Sequence, residues 1–471
     1  MPFPIPSSTR SNEDIVGEPR RCDLIVHNAT ILTVDEVDRV ISNGAIAVGD
    51  GRIWAVDRSE AVRSQYVSNE ILDAKGGVIH PGFIDAHVHV SQYTARSVLP
   101  LMDGSPTTMG HWKGALTPED EHASALLAAV DYLKCGYTGF VDPGTIFEPD
   151  AVAVVAAQAG IRIWLTDPYV ADQVTALVAH TPELVSTSFL ARWPKNLDDA
   201  LSRLGSQLYR NNETDSLVKA FIGLYGISTE SSELYEAALN LARKNSVRLQ
   251  EHLGYVPAAN LERETELGQP LLRAFEAQGF LDSHVTFVHM NLVREEEIDL
   301  LARSGVRVVC CPYGQLQMLS RPGVEIRMSE MHRAGVIVGI GSDIPRIVEF
   351  DGLGTLTQCS ATASGQPLTP REILRMRTIG AAATVGAETE TGSLEVGKRA
   401  DFVLRSPGSS VSFGFDPALE LAVIGGRQTV CAVFVNGRNV VRNGQIVQLD
   451  EAEIVSSAHH SAREVAKRIG L

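Results

Sequence analysis

Cysteine is scarce in this sequence: the chain has six, and none stands in C-x-x-C spacing with another. That scatter argues against a disulfide framework and is typical of reduced thiols in a cytoplasmic protein. Cys310 and Cys311 lie side by side in an apolar run, so we expect them to be small core residues.

Long apolar runs are also missing. No segment reaches the roughly 18 apolar residues that a membrane span needs. Residues 1–21 are polar and rich in proline and serine, without the apolar region of a signal peptide. We therefore interpret 1–21 as a flexible N-terminal arm and expect no membrane association.

Positively charged residues are also relatively few. The chain has 41 Lys and Arg but 57 Asp and Glu, which gives a formal net charge of −16. Nucleic acids and anionic membrane surfaces attract basic proteins, so neither is expected as a partner. A small-molecule substrate fits this composition better. We also expect a homo-oligomer, a dimer or larger.

Both ends of the globular part are rich in β-strand signals. Short apolar runs separated by Asn-Gly and Asp-Gly turns fill residues 22–79, and the same texture returns over 393–450. Together these ends predict one small composite β-sandwich. Residues 451–471 read as a helical tail, with His459 and His460 exposed to solvent.

The middle of the chain, residues 80–392, alternates eight apolar strand-like runs with helical segments. Near-continuous apolar strands between helices indicate a parallel sheet, and eight repeats favour a closed (β/α)8 TIM barrel. An open doubly wound sheet is the alternative, but no G-x-G-x-x-G turn follows a strand. The predicted fold class is therefore α/β.

Two connections are too long for ordinary barrel loops. One covers 91–116 and the other 168–215, and both leave strands at the carboxyl-terminal face, where barrel enzymes build their sites. We expect them to form pocket walls or lids. Surface decoration is the alternative.

The stretch GFIDAHVHV, residues 82–90, places His87 and His89 two positions apart. Strand side chains alternate faces, so both imidazoles point the same way and can bind one metal ion. Ordinary hydrogen-bonded strand histidines are the alternative to a metal site.

Residues that can bind metal also end other predicted strands. His252 ends the fifth run, His289 the sixth and Asp343 the eighth. In a barrel these ends meet on one rim, so the five side chains are predicted to converge on a metal site.

At this point the chain resembles the amidohydrolase superfamily, in its branch of triazine hydrolases, chlorohydrolases and cytosine or guanine deaminases. The resemblance is carried by VIHPGFIDAHVH (78–89), TGSLEVGKRADFVLR (391–405) and VFVNGRNVVRNG (433–444). It implies a barrel with a composite sandwich, one divalent metal ion and hydrolysis by a metal-activated water.

The resemblance also implies residue roles. His87, His89, His252 and Asp343 match the metal ligands, and His289 matches the histidine that touches the attacking water or the substrate. We expect Asp343 and His289 to act in catalysis, one moving the proton and the other binding the oxyanion. Zinc is the expected metal, with iron, manganese or cobalt as alternatives.

One position departs from the deaminase pattern. Those relatives carry His-x-x-Glu at the fifth strand, whereas Tyr255 stands at the Glu position here. A phenol with a pKa near 10 donates a hydrogen bond but is a poor proton shuttle at neutral pH, so we assign Tyr255 a catalytic role as donor. Glu251 is adjacent to His252 and points to the other face of the strand.

A second metal is not expected, because Lys219 lies near the start of the fourth run, about six residues before the rim. The substrate is expected to contact side chains at the strand ends and in the long connections. The candidates are Tyr225, Tyr313, Gln315, His111 and Trp112, with Arg192 and Trp193 as further possibilities.

These features predict a metal-dependent hydrolase that cleaves an amide, urea or carbamate C–N bond of a neutral small molecule. Hydrolytic deamination or dechlorination of a triazine, pyrimidine or purine ring is the alternative. A fainter resemblance to phenylurea and thiocarbamate hydrolases rests on GYTGFVDPG (136–144) and the missing Glu. A non-catalytic scaffold is disfavoured, because every metal ligand of the pattern is retained.

Overall fold

A computed structural model of the chain describes residues 18–102, 105–321, 324–344, 350–406, 416–419, 421 and 426–471. Its strands in chain order are β1 (Arg20–Arg21), β2 (Leu24–Leu32), β3 (Val40–Gly49), β4 (Arg52–Arg58), β5 (Tyr66–Val67), β6 (Glu70–Asp73), β7 (Val78–Pro81), β8 (Phe83–Asp85), β9 (Tyr137–Val141), β10 (Arg162–Leu165), β11 (Val218–Ala220), β12 (Ile222–Gly226), β13 (Leu249–Leu253), β14 (Val285–His289), β15 (Arg307–Cys310), β16 (Val338–Ile340), β17 (Phe402–Arg405), β18 (Val430–Val435), β19 (Arg438–Arg442) and β20 (Gln445–Ile446).

The α-helices in chain order are α1 (Ser59–Gln65), α2 (Leu99–Met102), α3 (Met109–Ala115), α4 (Pro118–Lys134), α5 (Pro149–Ala159), α6 (Thr175–His180), α7 (Thr187–Leu190), α8 (Leu197–Arg203), α9 (Ser232–Asn245), α10 (Pro257–Leu267), α11 (Leu271–Ala277), α12 (Ile298–Ser304), α13 (Pro312–Met318), α14 (Met328–Arg333), α15 (Leu353–Ala363), α16 (Pro370–Arg377), α17 (Ile379–Thr384), α18 (Pro417–Leu419) and α19 (Glu451–Arg468).

The middle of the chain forms the predicted closed barrel. Strands β8, β9, β10 and β11 pair in parallel, as do β12 to β16. The two groups join because β11 and β12 are one barrel position interrupted at Phe221, whose N–H donates to the Leu165 carbonyl. A parallel bridge between Val88 and Asp343 joins the first strand position to the last. The open-sheet alternative is therefore excluded.

The barrel strands are buried along their length, as the near-continuous apolar runs predicted. All five residues of β9 are buried, and so are those of β13 and β14. Helices cover the outside of such a sheet, so both strand faces are removed from water. Thr117 precedes the helix α4 and caps its start in a reciprocal capping box with Asp120.

The β-rich ends assemble into one mixed sheet, with strand order β20-β19-β18-β17-β7-β2-β3-β4 and β6 paired to β2. Its apolar cluster draws on both termini, including Val26, Ile79, Phe402 and Phe434. The small β domain built from both ends is thus present as predicted.

One boundary differs from the prediction. The sequence treated His80 and Pro81 as the start of the first barrel strand, but they belong to β7, which pairs with β17 in the β domain. Gly82 separates the two strands; a Cβ there would lie 2.1 Å from the Thr138 hydroxyl. His80 is buried and hydrogen-bonds Arg405, so it has a structural place far from the rim.

Most of the predicted N-terminal arm, 1–17, lies outside the described residues. Its last part differs from the prediction, because Arg20 and Arg21 form β1 and pair with β5. The Arg20 guanidinium also lies 3.6 Å from the ring centroid of Trp54. These contacts tie the end of the arm to the β domain.

Both long connections are folded and pack on one another. The first contains α2 and α3, and the second contains α6, α7 and α8. A Cβ at Gly110 would lie 2.1 Å from the carbonyl carbon of Val185, and one at Gly114 would lie 2.5 Å from the Ser188 hydroxyl. The two glycines thus let α3 approach the second connection closely.

The C-terminal helix α19 braces the first connection. Val465 packs in an apolar cluster with Trp112 and Leu116, and Arg468 lies 2.6 Å from the carboxylate of Asp120. His459 and His460 are exposed, as predicted. Among the described residues, no helix combines the length and apolar character needed to cross a membrane. All six cysteines are free thiols.

A buried ion pair joins the barrel to the β domain. Arg162 of β10 donates to both carboxylate oxygens of Asp401, with an Nη2–Oδ1 distance of 3.0 Å. Asp401 also accepts from the hydroxyl of Thr391 and from the N–H of Asn436. Both charged groups are buried, so each depends on the other for its compensation.

We expect Asp401→Ala to lower the free energy of unfolding by about 3–5 kcal/mol, because it leaves the Arg162 charge buried without its partner. Urea unfolding followed by circular dichroism measures the change. The matched control is Asp299→Ala, which breaks an exposed Arg–Asp pair and should cost less than about 1 kcal/mol. Equal costs for the two variants would contradict the structural role of Asp401.

Candidate metal centre

Five side chains at the carboxyl ends of barrel strands converge on one point. The Nε2 atom of His87 lies 3.3 Å from that of His89 and 3.1 Å from that of His252. The Nε2 atom of His89 lies 2.9 Å from Oδ1 of Asp343. Ligand atoms of His87, His289 and Asp343 also lie within 4.8 Å of one another. Atoms of these types at this spacing can hold one divalent ion.

Each of the three imidazoles is oriented through its other ring nitrogen. Nδ1 of His87 lies 3.3 Å from Oε1 of Gln250, and Nδ1 of His89 lies 2.8 Å from the Thr145 hydroxyl oxygen. Nδ1 of His252 donates to the backbone carbonyl of Tyr225 at 2.6 Å. A proton held at Nδ1 leaves the Nε2 lone pair directed at the centre, as metal-binding histidines require.

Burial keeps these imidazoles neutral. It lowers the pKa of His87 and His89 well below the usual value and lowers that of His252. Neutral imidazole is the form that binds metal. Three such nitrogens and one carboxylate leave an open position for a water or substrate oxygen. The residues therefore fit a single divalent ion.

His289 completes the cluster from the end of β14. Its ring centroid lies 5.9 Å from that of His87 and 5.5 Å from that of His252. Burial lowers its pKa to about 3, so the ring is neutral near pH 7. Within the described part of the chain, its buried Nδ1 has no hydrogen-bond partner. His289 is thus placed to bind a group that enters the site.

Backbone conformation at two strand ends is strained. His289 has φ +83° and Asp343 has φ +62°, a region that residues other than glycine rarely adopt. Such strain persists where the surrounding structure holds it, and it concentrates at functional sites. Here it turns both side chains toward the same centre.

A cavity of about 140 Å³ opens beside the convergent residues, and four of them, His89, His252, His289 and Asp343, line it. The first long connection contributes Lys113, and the second contributes His180, Thr181, Glu183 and Leu184. The prediction that these connections build pocket walls is consistent with this lining.

Two buried aspartates that were not predicted as site residues hold the rim together. Asp85 accepts hydrogen bonds from the N–H groups of His87 and Ser342. Asp142 accepts from the N–H groups of Val90 and Thr145. Burial raises the pKa of Asp85 to about 6 and that of Asp142 to about 7. Their position at strand ends, like that of Asp343, was the available signal.

Of the residues predicted to contact the substrate, Tyr225 lines the cavity, and Tyr255, predicted as a catalytic hydrogen-bond donor, lines it as well. Tyr225 is buried beside His252, with ring centroids 5.6 Å apart. Tyr255 stacks on His289 at 4.3 Å between ring centroids. Lys219 lies in β11, and its ammonium donates to the carbonyl of Glu213.

The predicted contacts from the first connection differ from the structure. Nδ1 of His111 lies 3.1 Å from the Thr108 N–H nitrogen in the cap of α3, and Trp112 is fully buried in the cluster beneath α19. Neither is among the described residues that line the cavity. In a helix these neighbours point away from the face that Lys113 presents.

Four further residues that were predicted to contact the substrate also lie elsewhere in the structure. Oε1 of Gln315 accepts from the Ser360 hydroxyl at 2.7 Å, and the Tyr313 hydroxyl accepts from Gln317. Both lie in α13, which begins directly after β15, so helical geometry directs them away from the cavity. Trp193 packs against Tyr225, and Arg192 lies 3.6 Å from the ring centroid of Phe147; both support the wall from behind.

Replacing Thr145 by Val should weaken metal binding about 10- to 100-fold, because His89 loses the acceptor that fixes its ring. Chelator competition on the purified protein measures the metal dissociation constant. The control Thr145→Ser keeps the hydroxyl and should bind metal within about threefold of the original protein. Unchanged affinity in the valine variant would show that this hydrogen bond does not orient a ligand.

Comparison with known proteins agrees with this geometry. The model of the Amidohydrolase family matches residues 78–440. The 5-methylthioadenosine/S-adenosylhomocysteine deaminase of Thermodesulfovibrio yellowstonii is 30% identical, over 92% of this chain and 97% of that protein.

Solved structures share the fold. An adenosine deaminase from Xanthomonas campestris with bound zinc superposes with a TM-score of 0.81 at 23% identity, covering 96% of this chain and 99% of that one. A mutant atrazine chlorohydrolase from Arthrobacter aurescens, complexed with zinc and atraton, gives 0.78 at 24% identity, covering 93% and 100%. The resemblance seen in the sequence motifs is confirmed, and the chain is a hydrolase of carbon–nitrogen bonds other than peptide bonds that belongs to the amidohydrolase family.

Proposed function

We propose that this enzyme cleaves an acyl C–N bond, of the amide, urea or carbamate type, in a small molecule. The observation that carries the proposal is Tyr255, which stacks on His289 where the deaminase pattern places a glutamate. Protonation of a ring nitrogen needs an acid at that place, whereas attack on an acyclic carbonyl needs a hydrogen-bond donor for the oxyanion.

Each residue of the site has its own role in the proposed reaction. A divalent ion, for which we propose zinc, supplies an activated water and polarises the scissile carbonyl when bound. The Asp343 carboxylate takes the proton from the attacking water and delivers it to the departing nitrogen. Neutral His289 donates a hydrogen bond to the oxygen that becomes negative, and the Tyr255 ring fixes the His289 plane by stacking.

Hydrolytic deamination of an aminated ring is the second candidate, since the matched relatives include nucleoside deaminases. One side chain gives it a specific basis. Glu183 lines the cavity from the second long connection, and a carboxyl group from there could protonate a ring nitrogen in place of the missing Glu.

His87→Ala should lower turnover by at least about 100-fold and remove stoichiometric metal, while the melting temperature of the apo protein stays close to that of the original apo protein. The physical reason is the loss of one of three imidazole ligands. Elemental analysis and a turnover assay measure both effects, and His459→Ala, an exposed histidine of α19, is the control. A rate like that of the original protein would rule out this metal centre.

A mass-resolved assay on metal-loaded protein separates the two candidates. One substrate set contains N-aryl ureas, anilides and carbamates, and the other contains adenosine-type nucleosides, aminopyrimidines and amino- or chlorotriazines. We expect a free amine from the first set. A ring that exchanges NH2 or Cl for OH would contradict acyl cleavage and support the second candidate.

The same assay on Glu183→Gln tests whether Glu183 is the acid that protonates a ring nitrogen. Under acyl cleavage the rate should change less than about tenfold, because Asp343 handles the proton. A loss of about 100-fold or more on a ring substrate would assign the acid to Glu183.

A further inference from the structure

A buried carboxylate that the proposed reaction does not use lies on the outer side of the barrel wall. Glu251 precedes His252 in β13, and strand side chains alternate faces, so Glu251 points away from the metal centre, to the side that Leu253 shares. Its side chain is buried, and among the described residues neither of its carboxylate oxygens has a hydrogen-bond partner. Burial of a carboxylate without a compensating partner is costly.

A small cavity, which we call the outer cavity, lies on that side of β13 against helices α9 and α11. It has a volume of about 10 Å³, and Leu253, Glu230 and Tyr235 are among its lining residues. Tyr235 is only 1% exposed, and within the described part of the chain its hydroxyl has no hydrogen-bond partner. Burial first, and then the charges of Glu251 and Glu230, raise the pKa of this hydroxyl. Two carboxylates and one phenol oxygen therefore lie around the same small space.

A strained turn holds Glu230 at the outer cavity. Ile227 and Ser228 both have φ +58°, a region that a β-branched residue such as Ile227 rarely adopts. The N–H of Ile227 donates to the carbonyl of His252, and the N–H of Thr229 donates to Oε2 of Glu230 at 3.1 Å. Strain of this kind concentrates at functional sites. The turn thus ties Glu230 to the strand that carries a metal ligand.

The positive charge around the outer cavity does not balance the carboxylates. Arg263 is the only Lys or Arg among the described residues that line it. Its guanidinium also donates to the carboxylate of Glu266 at 3.1 Å. A further carboxylate, that of Asp172, accepts from the N–H and the hydroxyl of Ser231, which lines the same cavity. A net negative charge therefore remains at a buried place, where a cation would be attracted.

We propose that Glu230, Glu251 and Tyr235 form a binding site for a potassium ion, separate from the catalytic metal centre. The outer cavity has room for one sphere of the size of a water molecule, and a bare potassium ion is close to water in size. Magnesium keeps several of its own waters and calcium takes about six to eight oxygen ligands, so neither fits this space. The ion neutralises the two carboxylates and braces the end of β13 behind His252. This site does not depend on which bond the enzyme cleaves.

Thermal unfolding of the metal-loaded full chain tests the site, in potassium chloride and in choline chloride at equal ionic strength. An ion that binds only the folded chain raises its melting temperature, so we expect a value at least about 2 °C higher in potassium chloride. Glu230→Gln and Glu251→Gln should abolish this difference. In choline chloride both variants should melt at or above the temperature of the original protein, because each removes a buried charge that has no counter-ion there.

Glu233→Gln is the matched control, because it removes one negative charge from an exposed position in the first turn of α9 and should keep the potassium effect. Equal melting temperatures of the original protein in the two salts would overturn the proposal. So would Gln variants of Glu230 and Glu251 that lose stability equally in both salts, because the two carboxylates would then have only a structural role.

A crystal soaked in rubidium chloride locates the ion directly, since rubidium replaces potassium and scatters anomalously at its own absorption edge. We expect a peak between the side chains of Glu230, Glu251 and Tyr235 in the original protein and none there in Glu251→Gln. A map of the original protein without this peak would contradict the site. The catalytic metal content of each variant, measured by elemental analysis, shows that the metal centre on the other face of β13 is intact.

Discussion

The site depends on closure of the barrel between its first and last strand positions. The parallel bridge from Val88 to Asp343 brings together residues that are about 250 positions apart in sequence. Buried Asp85 accepts N–H bonds from His87 and Ser342, which fixes both sides of the closure. His89 can lie 2.9 Å from Asp343 only while this seam is closed. Closure of the barrel and the geometry of the metal centre thus depend on the same contacts.

Around that seam, the strand ends and the long connections contribute different residues to the site. Strand ends supply the imidazoles, and their Nδ1 partners Gln250 and Thr145 set the direction of the Nε2 lone pairs. The two long connections supply Lys113 and Glu183 to the cavity wall. Loops can change without disturbing the strands, so one barrel supports different substrates. The connection that carries Lys113 is itself braced by α19 through Arg468 and Asp120.

The strand-end residues were predictable because they follow simple periodicity. His87 and His89 share a strand face, and His252, His289 and Asp343 end runs whose ends meet in any such barrel. The residues of the cavity wall could not be predicted from strand periodicity. His111 and Trp112 were expected in the pocket, whereas their helical neighbour Lys113 lies there; a shift of one residue turns a helical side chain by about 100°. The predicted pocket position of Gln315 differs from the structure for the same reason, because α13 begins directly after β15.

A single metal centre on the barrel seam can be tested with an X-ray anomalous difference map of crystals of the metal-loaded protein, recorded on both sides of the zinc absorption edge. We expect one peak per chain, within about 2.0–2.2 Å of the Nε2 atoms of His87, His89 and His252 and of an Asp343 oxygen. Two peaks per chain, or one peak away from these atoms, would contradict a single metal centre built on the barrel seam.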